Sequence, residues 1–199
     1  LQMFNALLGI IDAMLPKAGA TDRPLLDIEK PQQFGEVLFP DFYPDYEYKK
    51  HTALGGAIGM LDEAFGDLAR ASGRVYDVVE PNLLDDAEYV FVGLGSMMET
   101  ALHTARALRE RGEKVGVLGL RCFRPFPSEQ VAAALRNART VLVLDRDIGY
   151  GSSGMVYPDV TRALYHEAKL PAVLNFVIGT GGKDITPARL ERCLDLARD

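Results

Sequence analysis

Tyr89-Val90-Phe91-Val92-Gly93-Leu94 runs through Gly95-Ser96 into Met97-Met98-Glu99-Thr100-Ala101-Leu102. A short apolar run, a glycine turn and then a helical pattern read as a strand leading into a helix. The unit recurs down the chain. Strand Lys114–Leu120 precedes helix Ser128–Asn137, strand Thr140–Leu144 precedes helix Tyr157–Ala168, and strand Ala172–Ile178 precedes helix Pro187–Arg198. The helix that opens the series spans Met97–Arg111. Apolar strands alternating with helices imply right-handed crossovers and a parallel sheet covered on both faces. The expected fold is α/β: an open, mostly parallel sheet of four or five strands with helices on both faces. Val75–Val79 is a candidate edge strand.

Upstream the pattern changes. Pro16, Pro24, Pro31, Pro40 and Pro44 punctuate residues 1–45. Proline at that density removes backbone donors and breaks helices and sheets alike. The segment reads as a short helix over Phe4–Leu15, then an extended connector, the tail of a preceding domain. Its aromatic run, Phe39, Phe42, Tyr43, Tyr46 and Tyr48, is expected to pack over a neighbouring surface. A long helix follows over Tyr46–Ala71, with Leu54, Ile58, Leu61, Phe65 and Leu68 in one apolar stripe. Gly55, Gly56, Gly59 and Gly66 weaken it. They mark either the approach of another backbone or plain tolerance. Ser72-Gly73 ends it. The domain division is therefore 1–45 and 46–199.

Composition narrows the function classes. The chain has 199 residues, 48% hydrophobic and 25% charged, with a net charge of −6. That is long enough for a core without staples. The acidic balance argues against nucleic acid or an anionic membrane as partner. No apolar run approaches the ~20 residues of a membrane span, and Leu1–Leu15 lacks a basic leader segment. The two cysteines, Cys122 and Cys193, make neither a disulfide framework nor a four-cysteine metal site. A reduced, cytoplasmic setting is expected. A first residue of Leu suggests that the chain starts inside a longer protein.

In open parallel sheets, ligands bind beyond the carboxyl ends of the strands. Four loops lie there. Gly93–Glu99 starts like a dinucleotide fingerprint, but Glu99 replaces the third glycine and would repel a pyrophosphate. A tight strand-to-helix turn is the favoured reading. The second loop, Arg121–Pro127, holds Arg121 and Arg124, which could clamp a phosphate or carboxylate. Pairing with acids across a subunit interface is preferred, and Cys122 is read as core. The third loop, Asp145–Gly154, contains Asp145, Arg146, Asp147 and Tyr150 among glycines. Such a loop is costly to order and is rarely a mere connector. It is read as an interface or lid, with Asp145 or Asp147 as general base a weaker option. Its carboxylates bonding loop amides and Arg146 is the structural alternative. In the fourth, Gly179–Pro187, Asp184 follows Lys183 where a phosphate loop needs Ser or Thr. Thr186-Pro187 there is expected to cap the last helix. His51, His103 and His166 show no ligand spacing, so a metal site is not expected.

Taken in order, these loops resemble a known family. Gly95-Ser96, Gly112–Leu118, Phe123–Pro127, Leu144–Gly151 and Gly181–Pro187 occur as in the C-terminal part of the alpha subunit of pyruvate:ferredoxin oxidoreductase and related 2-oxoacid:ferredoxin oxidoreductases. The resemblance covers about residues 30–199, including Phe42–His51, and reaches back towards Ile11–Pro16. It implies a fold like the transketolase C-terminal domain, with only the tail of a pyrimidine-binding domain before it. It also implies an enzyme that oxidatively decarboxylates a 2-oxoacid, pyruvate first, forms acyl-CoA and reduces ferredoxin or flavodoxin. Thiamine diphosphate, Mg2+ and iron–sulfur clusters are implied for the complete enzyme. None is expected on this chain alone, which lacks the ligating cysteines and the Gly-Asp-Gly of a thiamine diphosphate–magnesium site.

The role so implied is architectural. No catalytic residue is assigned. Arg121, Arg124, Asp145, Arg146, Asp147 and Tyr150 are candidates for an interface or a loop facing the active site. Other subunits or domains are the expected partners, within an oligomer. Two other readings remain: a stand-alone module binding a nucleotide or CoA-type ligand, and an interaction domain unconnected with catalysis.

Overall fold

The computed structural model describes Glu29, Gly35 and residues 37–198. The helix expected over Phe4–Leu15 lies outside the described residues, as does most of the connector. The chain divides into two compact units, Leu1–Tyr76 and Asp77–Asp199. The composition change at 45/46 falls inside the first of them.

The first unit contains helix α1, Tyr43–Ser72. It begins three residues earlier than the apolar stripe suggests, because Pro44 sits in its first turn, where a missing N–H costs nothing. Gly73 ends it in the left-handed conformation, and its N–H bonds the Ala69 carbonyl at 2.8 Å. No residue of α1 is buried. Ile58, Leu61, Phe65 and Leu68 are half-buried, while Leu54 and the aromatic run Phe39, Phe42, Tyr43, Tyr46 and Tyr48 are exposed. Nothing lies within 4 Å of a Cβ placed at Gly55, Gly56 or Gly59, which favours tolerance over backbone approach.

The second unit carries the sheet. Its strands are β1 (Val79–Asn82), β2 (Tyr89–Leu94), β3 (Val115–Leu120), β4 (Thr140–Asp145) and β5 (Ala172–Val177). Its helices are α2 (Met97–Glu110), α3 (Ser128–Leu135), α4 (Tyr157–Leu164) and α5 (Pro187–Leu196). The sheet order is β1-β3-β2-β4-β5. The four strands read from the sequence pair in parallel, with Phe91 beside both Val117 and Leu142.

The edge strand needs correcting. It lies at Val79–Asn82 rather than Val75–Val79, and it runs antiparallel to β3. Val75 is exposed. Pairing begins only where the Val78 carbonyl accepts from the Arg121 and Cys122 amides. Alternation from that bond turns the nitrogen of Pro81 to the outer edge. A proline can sit there without breaking the ladder.

Two layers of helices cover the sheet. Phe91, Val117, Leu142 and Leu144 pack against Met97, Ala101, Ala105 and Leu108 of α2 and Leu190 and Leu194 of α5. By the two-residue alternation of strands, Val90, Val92, Leu118, Val141 and Val143 face the other way, towards α3 and α4. All are buried, as are Val131, Leu135, Val160 and Leu164 of those helices. Strands β3 and β4 are buried at every position. The α/β expectation, a mostly parallel sheet with helices on both faces, is met.

Candidate functional site at the strand ends

Where β2 ends, Gly93 has no room for a side chain. A Cβ there would lie 2.8 Å from Met97 Cε and 3.0 Å from the Leu144 carbonyl. Gly95 then turns left-handed, at φ 73°, and α2 starts at once. The loop is the tight turn expected of it. Glu99 stands in the first turn of α2.

At the end of β3, both arginines are exposed and pair with acids of their own domain. Arg121 pairs with Glu80 of β1. Arg124 bonds Asp159 of α4 at 2.8 Å and the Phe123 carbonyl at 2.7 Å, with its guanidinium carbon 4.1 Å from the Phe123 ring centre. For both, an acid comes from the same domain. Each supplies a charge to a neighbouring element, and Asp159 also takes Arg162 at 3.2 Å. The Arg124–Pro125 bond is cis. Cys122 is buried, as expected, and its thiol donates to the Pro125 carbonyl at 3.1 Å.

The loop after β4 splits in two. Asp145 is only 3% exposed. One carboxylate oxygen accepts from the Val156 amide at 2.8 Å, the other from Asn175 Nδ2 at 2.7 Å. Asn175 Oδ1 in turn accepts from the Gly154 amide at 2.8 Å. A Cβ at Gly154 would lie 2.1 Å from Asp145 Oδ2, so only glycine fits. Asp145 thus clamps both arms of its own loop to β5. It bonds an amide and Asn175 rather than Arg146. Between the clamped ends, Gly149 and Ser152–Ser153 close a small turn, with Gly149 N–H to Ser153 O at 2.9 Å. Asp147 accepts from the Ile148 amide at 2.8 Å. Arg146 and Asp147 are exposed, and Tyr150 at the tip is 98% exposed. Beside the loop, Ser153, Tyr157, Thr161, Arg162 and Tyr165 wall an open depression of about 440 Å3.

After β5, Thr180–Gly182 make one 3-10 turn, and Thr186 takes the position before α5. Its side chain makes no capping bond; Pro187 takes the first helical turn, and the Thr186 carbonyl accepts from the Arg189 and Leu190 amides.

Asn175 is the residue that sequence reasoning missed. Its signal was a lone amide inside Ala172-Val173-Leu174-Asn175-Phe176-Val177. A polar side chain in an apolar strand needs a partner, and Asp145 is that partner.

The chemistry available here is limited. Among the described residues, no group of three or more His, Cys, Asp or Glu could hold a metal ion. His166 stacks edge-on against Tyr165 at 5.2 Å. Cys193 sits in the core, where burial pushes its thiol up and disfavours the thiolate a cluster requires. The two cysteines, both buried, do not make up the thiolate set of an iron–sulfur cluster. No helix among them is long and apolar enough to cross a membrane.

Residues 87–190 match the protein family described as pyruvate:ferredoxin oxidoreductase core domain II. The chain is 34% identical over 181 residues to the pyruvate synthase subunit PorA of Methanothermobacter thermautotrophicus, covering 91% of this chain and 46% of that protein. It is 33% identical over 163 residues to the ketoisovalerate oxidoreductase subunit VorA of Pyrococcus abyssi, covering 81% and 41%. It thus spans about half the length of the curated relatives it matches. Among solved structures, a 2-oxoglutarate:ferredoxin oxidoreductase from Magnetococcus marinus is similar at 16% identity and a TM-score of 0.46, over 67% of this chain and 22% of that one.

Proposed function

We propose, from the premise that this chain belongs to the pyruvate:ferredoxin oxidoreductase core domain II family, that it is an assembly domain within the alpha subunit of a 2-oxoacid:ferredoxin oxidoreductase. The observation that carries this reading is the family match across the sheet and its strand-end loops, residues 87–190. Pyruvate is the first candidate substrate, since a relative is a pyruvate synthase subunit. A branched 2-oxoacid is the second, from the ketoisovalerate relative.

In this reading the chain forms and breaks no bonds. Thiamine diphosphate, Mg2+ and the iron–sulfur clusters are held by other segments or subunits, and electrons leave to ferredoxin or flavodoxin through the complex. The protein works in the cytoplasm, in an oligomer. What the domain contributes is a rigid platform with a projecting tip. The Asp145–Asn175 clamp fixes the base of the loop, and Arg146, Asp147 and Tyr150 stand out from it. An aromatic ring flanked by charges suits contact with another protein surface, where the ring gains burial and the charges set orientation. Arg121 and Arg124, tied to Glu80 and Asp159, shape the adjoining rim.

The test is isolation of the chain's assembly through a tag placed on it in its source cells. Other oxidoreductase subunits should co-purify, with CoA-dependent oxidation of pyruvate or 3-methyl-2-oxobutanoate at the expense of a viologen dye. A chain that comes down alone and binds CoA or a nucleotide by itself would replace this reading with the stand-alone binding module.

A further inference from the structure

Strand β1 is followed in the chain by β2, yet β3 lies between them in the sheet. The connection therefore crosses β3, and it does so near that strand's start. Gly116 makes the room. A Cβ there would lie 2.7 Å from the Leu83 carbonyl oxygen, 2.7 Å from Leu84 Cδ2 and 2.9 Å from Ala87 Cβ. The crossing starts abruptly. Alternation from the Val78–Arg121 bond makes Glu80–Gly119 and Asn82–Val117 the bonded pairs between β1 and β3. The next such pair would use the Val115 carbonyl. Instead the chain leaves the ladder at Leu83, whose φ is 59°, the one positive value among the described residues other than glycine. A leucine in that conformation is strained, because its Cβ crowds the following carbonyl oxygen.

Arg109 of α2 fills the gap. Its Nε donates to the Val115 carbonyl at 2.7 Å. Its Nη2 donates to the Leu83 carbonyl at 2.8 Å and to the Asp86 carboxylate at 2.7 Å. One guanidinium thus ties the strand that continues to the segment that departs. The segment buries little of its own. Leu83, Asp85 and Asp86 are exposed, and Asn82 and Leu84 are half-buried. Core residues flank it: Val78 and Val79 on one side, Ala87 on the other, are all buried. Between these anchors lie a strained residue and one side chain that holds it down. A stretch with few buried apolar groups is the kind that opens before its domain does.

We propose that Asn82–Asp86 is a strained strap across the start of β3, latched by Arg109, which opens on its own while the sheet beneath it stays closed. Two opposed effects set its equilibrium. Opening relaxes the Leu83 backbone and is favoured by that release. Closing makes three bonds from a charged donor, which are stronger than neutral ones. The bonds outweigh the strain, so the closed strap is the ground state. Opening breaks the Asn82–Val117 pair and uncovers the backbone of Val115 and Val117. It stops at Val79 and at Ala87, because both are held in the core. The device is therefore local: a short stretch with its own opening equilibrium, built into an otherwise buried parallel sheet.

The experiment is native-state hydrogen exchange on the full chain, read residue by residue by NMR. The Asn82 and Val117 amides should exchange about tenfold or more faster than those of β4, and with little dependence on denaturant. Arg109→Gln removes the latch. It should speed these two amides by a further tenfold or so relative to β4. The strain is tested by a pair of variants that both lack the leucine side chain. Leu83→Ala keeps the crowded Cβ and Leu83→Gly removes it, so the two amides should exchange about fivefold more slowly in Leu83→Gly. At an unstrained position glycine, the more flexible residue, would give the faster exchange. Asn82 and Val117 amides that exchange only with global unfolding, at the rate of β4, would overturn the proposal. So would an Arg109→Gln chain in which β4 speeds up as much as the strap, or a Leu83→Gly chain that exchanges as fast as Leu83→Ala.

Discussion

Replacing Asp145 by Ala should unlock a loop that its sequence marks only as exposed and polar. The carboxylate accepts from the Val156 amide and from Asn175 Nδ2, and it is almost fully buried. Hydrogen bonds to a charged group contribute roughly 1.5–3 kcal/mol each. Two are lost, and two buried donors are left without an acceptor. Water entering the vacated space recovers part of this, so a net loss of about 3–4 kcal/mol is expected. For a unit of this size, about 4 °C follows per kcal/mol, so Tm should fall by roughly 12–16 °C. Asp145→Asn should lose about half as much. Its amide can accept one of the two bonds but must turn its NH2 towards the other donor, since Asn175 is already oriented by the Gly154 amide. The assay is thermal unfolding followed by circular dichroism, paired with limited trypsin digestion. Cleavage after Arg146 should quicken in Asp145→Ala, because the loop opens before the domain does. An Asp145→Ala chain with Tm within about 2 °C of wild type and unchanged cleavage would show that the carboxylate is not the anchor.

Other expectations follow from the same geometry. Tyr150→Ala at the exposed tip should leave Tm unchanged while weakening association with the other oxidoreductase subunits; a clear loss of stability would make the tip a structural turn instead. Gly154→Ala forces a methyl into Asp145 and should cost at least as much as losing the carboxylate, read by urea unfolding. Cys193 should resist a thiol reagent in the native chain and react on denaturation. Its raised pKa fixes the sign of the pH effect. Below the ordinary thiol value near 9 the thiol is neutral in both states; above it the unfolded chain ionises first, so the stability contribution falls as pH rises through that region. Asp86 titrates the other way. The Arg109 side-chain bond holds its carboxyl below the usual range, so the pair's contribution is present at neutral pH and fades as acid protonates Asp86. Arg109→Gln should flatten that acid limb.

Much of this was legible in the residues because it is local. Strand β2 stands where its apolar run predicts it, and the other three parallel strands and the helices that follow them begin or end within a few residues of their patterns. Gly73 and Pro187 act on the backbone beside them, so their roles do not depend on the rest of the chain. The ordered loop motifs point to the family for the same reason: each can be read without knowing what it touches.

What the tertiary structure alone decided is pairing over distance. Arg121 finds Glu80 across 41 positions, Arg124 finds Asp159 across 35, and Asp145 finds Asn175 across 30. A charge in a sequence has no address; its partner is chosen by which strand ends the sheet order brings together. That order also set the antiparallel edge, moved β1 to Val79–Asn82, and divided a single loop into a buried clamp and an exposed tip. Hydrophobic period and turn chemistry act over a few residues, and they settled the elements. Burial and electrostatic complementarity act only once those elements have met, and they settled which of the candidate residues hold the domain together and which are left facing outward.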